Sequence, residues 1–140
     1  MVIPLIFKTP KDAIHVDKES GTSVDYHIFD EYEIHVNRVM PHTTQEWHSH
    51  AKIIETLFVT KGKLLCRYLK DTGEEESRYL EKNELVQVGN CVHIFENDSD
   101  ESVEFLVFRF VPDGTDKREM IREDKRLCSV AEDALGAAGK

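Results

Sequence analysis

From residue 30 to 112 the dominant spacing of apolar positions is two. The stretch "YEIHVNRVM" (32–40) alternates Ile34, Val36, Arg38 and Met40 against His35, Asn37 and Val39, which predicts a strand. The segments "EWHSH", "ETLFVT", "KLLCRYL", "SRYLE", "ELVQV", "CVHIF" and "VEFLVFRFV" predict further strands. Turn signals separate them at Pro41, Lys61-Gly62, Gly73, Lys82-Asn83, Gly89-Asn90 and "ENDSDE" (96–101). Short strands broken every 8 to 12 residues point to an all-β sandwich or barrel, and no longer repeat suggests a solenoid. The last strand is apolar on both faces. One set is Leu106, Phe108 and Phe110 with Glu104; the other is Val103, Phe105, Val107 and Val111 with Arg109. Both faces are therefore expected to be covered, one by the barrel lumen and one by a neighbouring sheet or a second subunit.

The two ends read differently. Residues 1–29 carry weak strand signals broken by Pro4, Pro10 and Gly21, and are expected to form an N-terminal arm or edge strands. Residues 30–112 are the expected barrel, and 113–140 a partly helical tail. In the tail, Ser129 and Glu132 have capping-box spacing and Gly136 could close the helix.

Composition narrows the function classes. A chain of 140 residues suits one domain with one core. A net charge of −9, with the C-terminal Lys and Arg interleaved with acids, argues against nucleic acid. The run "VIPLIF" (2–7) is too short to span a bilayer and has no charged leader, so no membrane association is expected. Cys66, Cys91 and Cys128 form an odd set without CxxC spacing, which fits reduced thiols and a cytoplasmic setting.

The candidate chemistry lies in "EWHSHAKIIETLFVTKG" (46–62). On a strand His48 and His50 would project to one face, and Glu55 at the start of the next strand can approach both. Two imidazoles and a carboxylate suit a divalent transition metal, and His93 offers a fourth donor. Such a set would leave about two positions for water or substrate. Scattered surface histidines are the alternative. In a chain with seven histidines this spacing would arise by chance on the order of two times in a thousand.

His48-x-His50-x4-Glu55-x6-Gly62 resembles the first motif of the cupin superfamily, and His93-x3-Asn97 resembles the end of the second. The likeness covers about residues 38–112 and implies a cupin double-stranded β-helix, a small jelly-roll barrel with a metal near one mouth. By motif position it implies His48, His50, Glu55 and His93 as ligands to one Fe, Mn, Ni or Zn, and it implies a homodimer, with which the apolar last strand agrees. This sequence departs from the pattern at His42, Lys82 and Asn90, each where the motifs have Gly, and at Val88, where they have Pro. Asn tolerates a left-handed backbone, so Asn90 and Asn83 are expected to keep the turns, and His42 to sit in its turn with the ring exposed.

Alternation places Leu57 and Val59 inward with Glu55, Leu64, Cys66 and Tyr68 inward on the next strand, and Cys91 and Phe95 inward with His93. Cys91 reads as a wall residue or as a thiol near the metal. Gln45 flanks the mouth, Trp47 faces outward, and Asn97 is expected to fix a strand end. Only one of Glu104 and Arg109 can reach the pocket. The chemistry expected is a metal-dependent reaction on a small molecule, of Fe(II) dioxygenase type with Glu55 as ligand or base. The alternatives are a sugar or keto-acid isomerase or lyase, with Tyr68, Glu104 or His35 as acid/base, and a non-catalytic binding module.

Overall fold

The computed structural model describes residues 3–129. Its strands are β1 (Ile14–Asp17), β2 (Thr22–Ile28), β3 (Tyr32–Val39), β4 (Thr43–Thr44), β5 (Ile54–Lys61), β6 (Leu64–Leu69), β7 (Glu75–Leu80), β8 (Leu85–Val88), β9 (His93–Asn97) and β10 (Val103–Phe110). A single α-helix, α1, covers Arg118–Glu123 among the described residues. The helix expected around Ser129–Glu132 lies outside them. Lys8–Pro112 is one compact unit, and residues 3–7 and 113–129 belong to another. Among the described residues no helix is long and apolar enough to cross a membrane.

Within Lys8–Pro112 the strands form two antiparallel sheets, of order β1-β2-β3-β10-β5-β8 and β4-β9-β6-β7. Residues 14–28 therefore extend the larger sheet, with β2 paired to β3 from Thr22↔Val39 to Ile28↔Glu33. The stretch "TSVDYHI" alternates Val24, Tyr26 and Ile28 against Asp25 and His27, a strand signal that this pairing completes.

Alternation decides which side chains enter the core. On β5, Glu55, Leu57 and Val59 are buried; on β10, Val103, Phe105 and Val107; on β6, Leu64 and Cys66. These meet Val39, Leu80, Val88 and Phe95 in one cluster between the sheets. Each such side chain removed from water stabilises the fold by roughly 1.5–3 kcal/mol before entropy is counted. On β3 the inward set is His35, Asn37 and Val39, while the more apolar set of Ile34, Val36 and Met40 faces out.

Turn chemistry accounts for the departures at His42 and Lys82-Asn83. His42 has φ 55 and Asn83 φ 71, so both occupy the left-handed conformation that glycine takes most cheaply. The His42 ring is exposed and pairs with Asp100 at 2.7 Å. Asn90 and Gly89 do not adopt a positive φ, contrary to expectation; that turn closes with an ordinary backbone. Gly62, at φ 82, lies so close to Val103 and the Ser102 carbonyl that an added Cβ would meet them at 3.1 and 3.2 Å. Gly21, at φ 104, lets the β1–β2 hairpin press on Thr43, whose Oγ1 would stand 2.7 Å from a Cβ.

Asn97 ties the end of β9 to the end of β3. Its Nδ2 donates to the carbonyls of Val39 and Met40 at 3.1 Å and of Glu101 at 2.7 Å. Its Oδ1 accepts from the Ser99 N–H at 3.0 Å and hydroxyl at 2.7 Å. Removing this buried side chain strands several polar groups at once. Asn97→Ala is expected to cost roughly 2–3 kcal/mol in urea denaturation, whereas Ser99→Ala should cost under about 1.5 kcal/mol.

Candidate metal centre

His48 does not lie on a regular strand, contrary to the reading of "EWHSH". It meets β9 through an isolated bridge, with His48 N–H donating to His93 O at 3.0 Å and His93 N–H to His48 O at 2.9 Å. This reciprocal pair aligns the two rings, whose centroids are 4.4 Å apart. His50 follows two residues on, its ring centroid 5.1 Å from that of His48 and 5.6 Å from that of His93. Ligating nitrogens of His48, His50 and His93 all lie within 4.8 Å of one another.

The backbone orients two of the rings. His48 Nδ1 is 2.8 Å from the Glu46 carbonyl and His93 Nδ1 is 2.9 Å from the Cys91 carbonyl. Each Nδ1 therefore carries the proton and leaves Nε2 as a lone-pair donor, the tautomer a metal ligand needs. The Nε2 atoms of His50 and His93 are buried without a hydrogen-bond partner among the described residues. Burial, the largest cause, holds the His93 pKa below the usual imidazole value, which favours the neutral ligand form. Buried, unpartnered imidazole nitrogens converging on one point fit a divalent transition ion. Cys91 contributes its carbonyl to this arrangement; its thiol is free and half-buried.

Glu55 is buried beside the cluster. It is the cross-strand partner of Arg109, whose Nε donates to Glu55 Oε1 at 2.6 Å and whose Nη2 also contacts that oxygen. Its other oxygen, Oε2, stands 3.2 Å from His50 Nε2, outside hydrogen-bond alignment. One carboxylate oxygen is thus held by the guanidinium while the second faces the imidazoles. Between Glu104 and Arg109 it is Arg109 that enters the lumen; Glu104 bonds Arg38 on the outer face.

A cavity of about 120 Å³ extends inward from this point, lined by Tyr26, His35, Asn37, His48, Glu55 and Arg109 among others. A wider mouth of about 490 Å³ is bounded by Lys18, Thr22, Gln45, Glu46, His50 and Arg109. Lys18 reaches it because the hairpin closes on itself, Gly21 N–H donating to Lys18 O at 3.0 Å. Tyr68 instead bonds Glu76 at 2.8 Å. Trp47 lies on the outside, with the Arg67 guanidinium 5.2 Å from its ring centre. Lys18, Tyr26 and Asn37 were not singled out from sequence. The available signal for Asn37 was a polar residue recurring at period two between His35 and Val39, but alternation alone does not say which face is inside.

These two sheets, with the histidines at one end of the lumen, are the cupin fold. An oxalate decarboxylase of Lactobacillus farciminis, solved as a formate complex, superposes with TM-score 0.68 at 18% identity over 82% of this chain and 35% of that one. An oxalate oxidase bound to the substrate analogue glycolate gives 0.62 at 17% identity over 75% and 59%. The CENP-C domain of Drosophila melanogaster gives 0.64 at 13% identity over 74% and 76%. The chain spans little more than half of the oxidase and about a third of the decarboxylase. Identities this low, shared between metalloenzymes and CENP-C, establish the fold and not the reaction. No family model matches the chain, and no curated protein does at the sequence level.

His35 gives the site a pH dependence that can be measured. It is buried, and desolvation, outweighing its 2.8 Å contact with Glu33, holds its pKa below 6.5. Between the lowered folded value and 6.5 the unfolded chain binds the extra proton, so stability falls as pH falls through that window. His35→Gln is expected to lose less stability than the parent between pH 7.5 and 5.5, read from urea midpoints.

Proposed function

We propose that this protein is a metal-dependent oxidoreductase of the dioxygenase type acting on a small carboxylic acid. In this reading one divalent transition ion is held by His48, His50 and His93, with Glu55 as a fourth ligand or as a base. The observation that carries it is the convergence of three imidazoles, those of His50 and His93 with buried, unpartnered Nε2 atoms, beside an open cavity. Such an ion supplies Lewis acidity and, if it is iron, access to dioxygen chemistry.

The chain's own residues make the remaining arrangements. Arg109 holds Glu55 by Oε1, which keeps Oε2 turned toward the imidazoles and available to accept a proton. Lys18 and Glu46 at the mouth balance in charge, as do Arg109 and Glu55 within it, so a bound divalent cation would leave the pocket positive and favouring an anion despite the chain's overall charge of −9. Small acids are also what the oxalate oxidase and decarboxylase complexes hold. Isomerase or lyase chemistry is the second reading, favoured by one feature: His35, a buried imidazole, lines the same cavity and could serve as acid or base. A homodimer is part of the proposal. Val36, Leu106 and Phe108 adjoin one another on the outer face of β3 and β10 and are 40, 36 and 43% exposed, a patch that a second copy of the chain would cover.

Protein purified without a nickel column is expected to carry about one iron per chain by inductively coupled plasma mass spectrometry. His50→Ala and His93→Ala should each lower occupancy at least tenfold with unchanged far-ultraviolet circular dichroism. Zinc or manganese at that ratio, with no oxygen uptake on small acids, would shift the assignment to isomerase or lyase chemistry. Absence of any metal after reconstitution would leave a binding module. For the dimer, Phe108→Glu should halve the mass seen by sedimentation equilibrium; a parent that is already monomeric would refute it.

A further inference from the structure

The wall of the lumen contributed by the larger sheet carries a polar group that the metal centre does not use. Asn37 lies on the inward face of β3, between Val24 on β2 and Phe105 on β10, its partners in register. It is only 6% exposed, and its carboxamide lines the same cavity as His48, Glu55 and Arg109. Its Nδ2 is buried and has no hydrogen-bond partner among the described residues. A buried amide donor left unmade costs about 1–3 kcal/mol, and both strand neighbours are apolar, so packing alone gives no reason for an amide here. Leucine has the same branched heavy-atom skeleton, with two methyls in place of the amide, and would avoid that cost.

Resting on the function proposed above, we infer that Asn37 is the specificity-determining residue for the end of the substrate remote from the histidines. The carboxamide both donates and accepts, and it carries no charge. Asn37 and its strand neighbours Val24 and Phe105 carry no charge, so a second carboxylate against this stretch of wall would lose water without gaining a counter-ion from it. The group recognised is therefore a neutral oxygen, a hydroxyl or carbonyl. A cavity of about 120 Å³ admits a molecule of roughly five to eight non-hydrogen atoms. The substrate class is a short monocarboxylic acid with an oxygen beside the carboxylate and a second neutral oxygen at its far end.

Three α-hydroxy acids test this without turnover, on zinc-loaded protein by isothermal titration calorimetry. Lactate lacks a distal oxygen, glycerate has a distal hydroxyl, and malate has a distal carboxylate. The parent is expected to bind glycerate about five- to tenfold more tightly than lactate, and malate no more tightly than lactate. In Asn37→Leu the glycerate-to-lactate ratio should fall to about one, with lactate affinity and zinc content kept. The same variant should melt a few degrees higher in the absence of acid, because an unmade donor is gone; a structural amide would do the reverse. Asn37→Ala provides a second reading of the ratio, and failure of both variants to fold would overturn the assignment. A preserved ratio in a folded variant would overturn the role of Asn37 and leave the metal site standing. Tighter malate binding in the parent would overturn the neutral oxygen. Failure to hold zinc, or to bind any of the three acids, would overturn the functional proposal and this inference together.

Discussion

The register of β10 is the constraint on which the rest depends. This strand is hydrogen-bonded to β3 on one side and β5 on the other, with Phe105 opposite Asn37 and Val59, Val107 opposite His35 and Leu57, and Arg109 opposite Glu33 and Glu55. Because side chains alternate, one parity puts Val103, Phe105, Val107 and Arg109 into the lumen together. A slip of one residue would bring Glu104 and Leu106 inside, expel Arg109, and leave Glu55 as an uncompensated buried carboxylate. The apolar core and the electrostatics of the site are set by the same choice.

The lumen has to accommodate polarity that a simple core would reject. It does so by assigning a definite partner to most groups: backbone carbonyls for His48 and His93, Arg109 for Glu55, Glu33 for His35. Among the described residues five buried groups are left over, Thr22 Oγ1, His27 Nδ1, Asn37 Nδ2, His50 Nε2 and His93 Nε2, and the last three are the informative ones. Native interiors rarely leave such atoms unmade, since each carries a full desolvation cost. Here the imidazole nitrogens converge and the amide faces the same cavity, a distribution that points to ligands rather than to careless packing.

Support for this arrangement comes from outside the lumen. Asn97 binds the β9 end to β3, which fixes where His93 sits along the barrel. Gly21 lets the β1–β2 hairpin lie against Thr43, which brings Lys18 to the mouth. His42 and Asn83 reach the left-handed turns without glycine, a conformation that costs an ordinary side chain more than it costs these.

Much of this was legible in the chain. Period-two alternation and turn residues mark most of the strands from 32 to 110, and the spacing of His48, His50, Glu55 and His93 marks a candidate donor set, of which the three imidazoles come together. These are local properties, carried by sequence separations of a few residues or by a motif. The regions that escaped are those where local signal and tertiary environment diverge. "EWHSH" is not a strand because only His48 finds a partner. On β3 the more apolar face turned outward, which no pattern of hydrophobicity would indicate. That Arg109 holds Glu55, that Cys91 offers its carbonyl, and that Asn37 stands unpartnered in the lumen were decided only by register and barrel closure. Those contacts join residues up to 54 apart, and a side chain's face is known only once the strand beside it is in place.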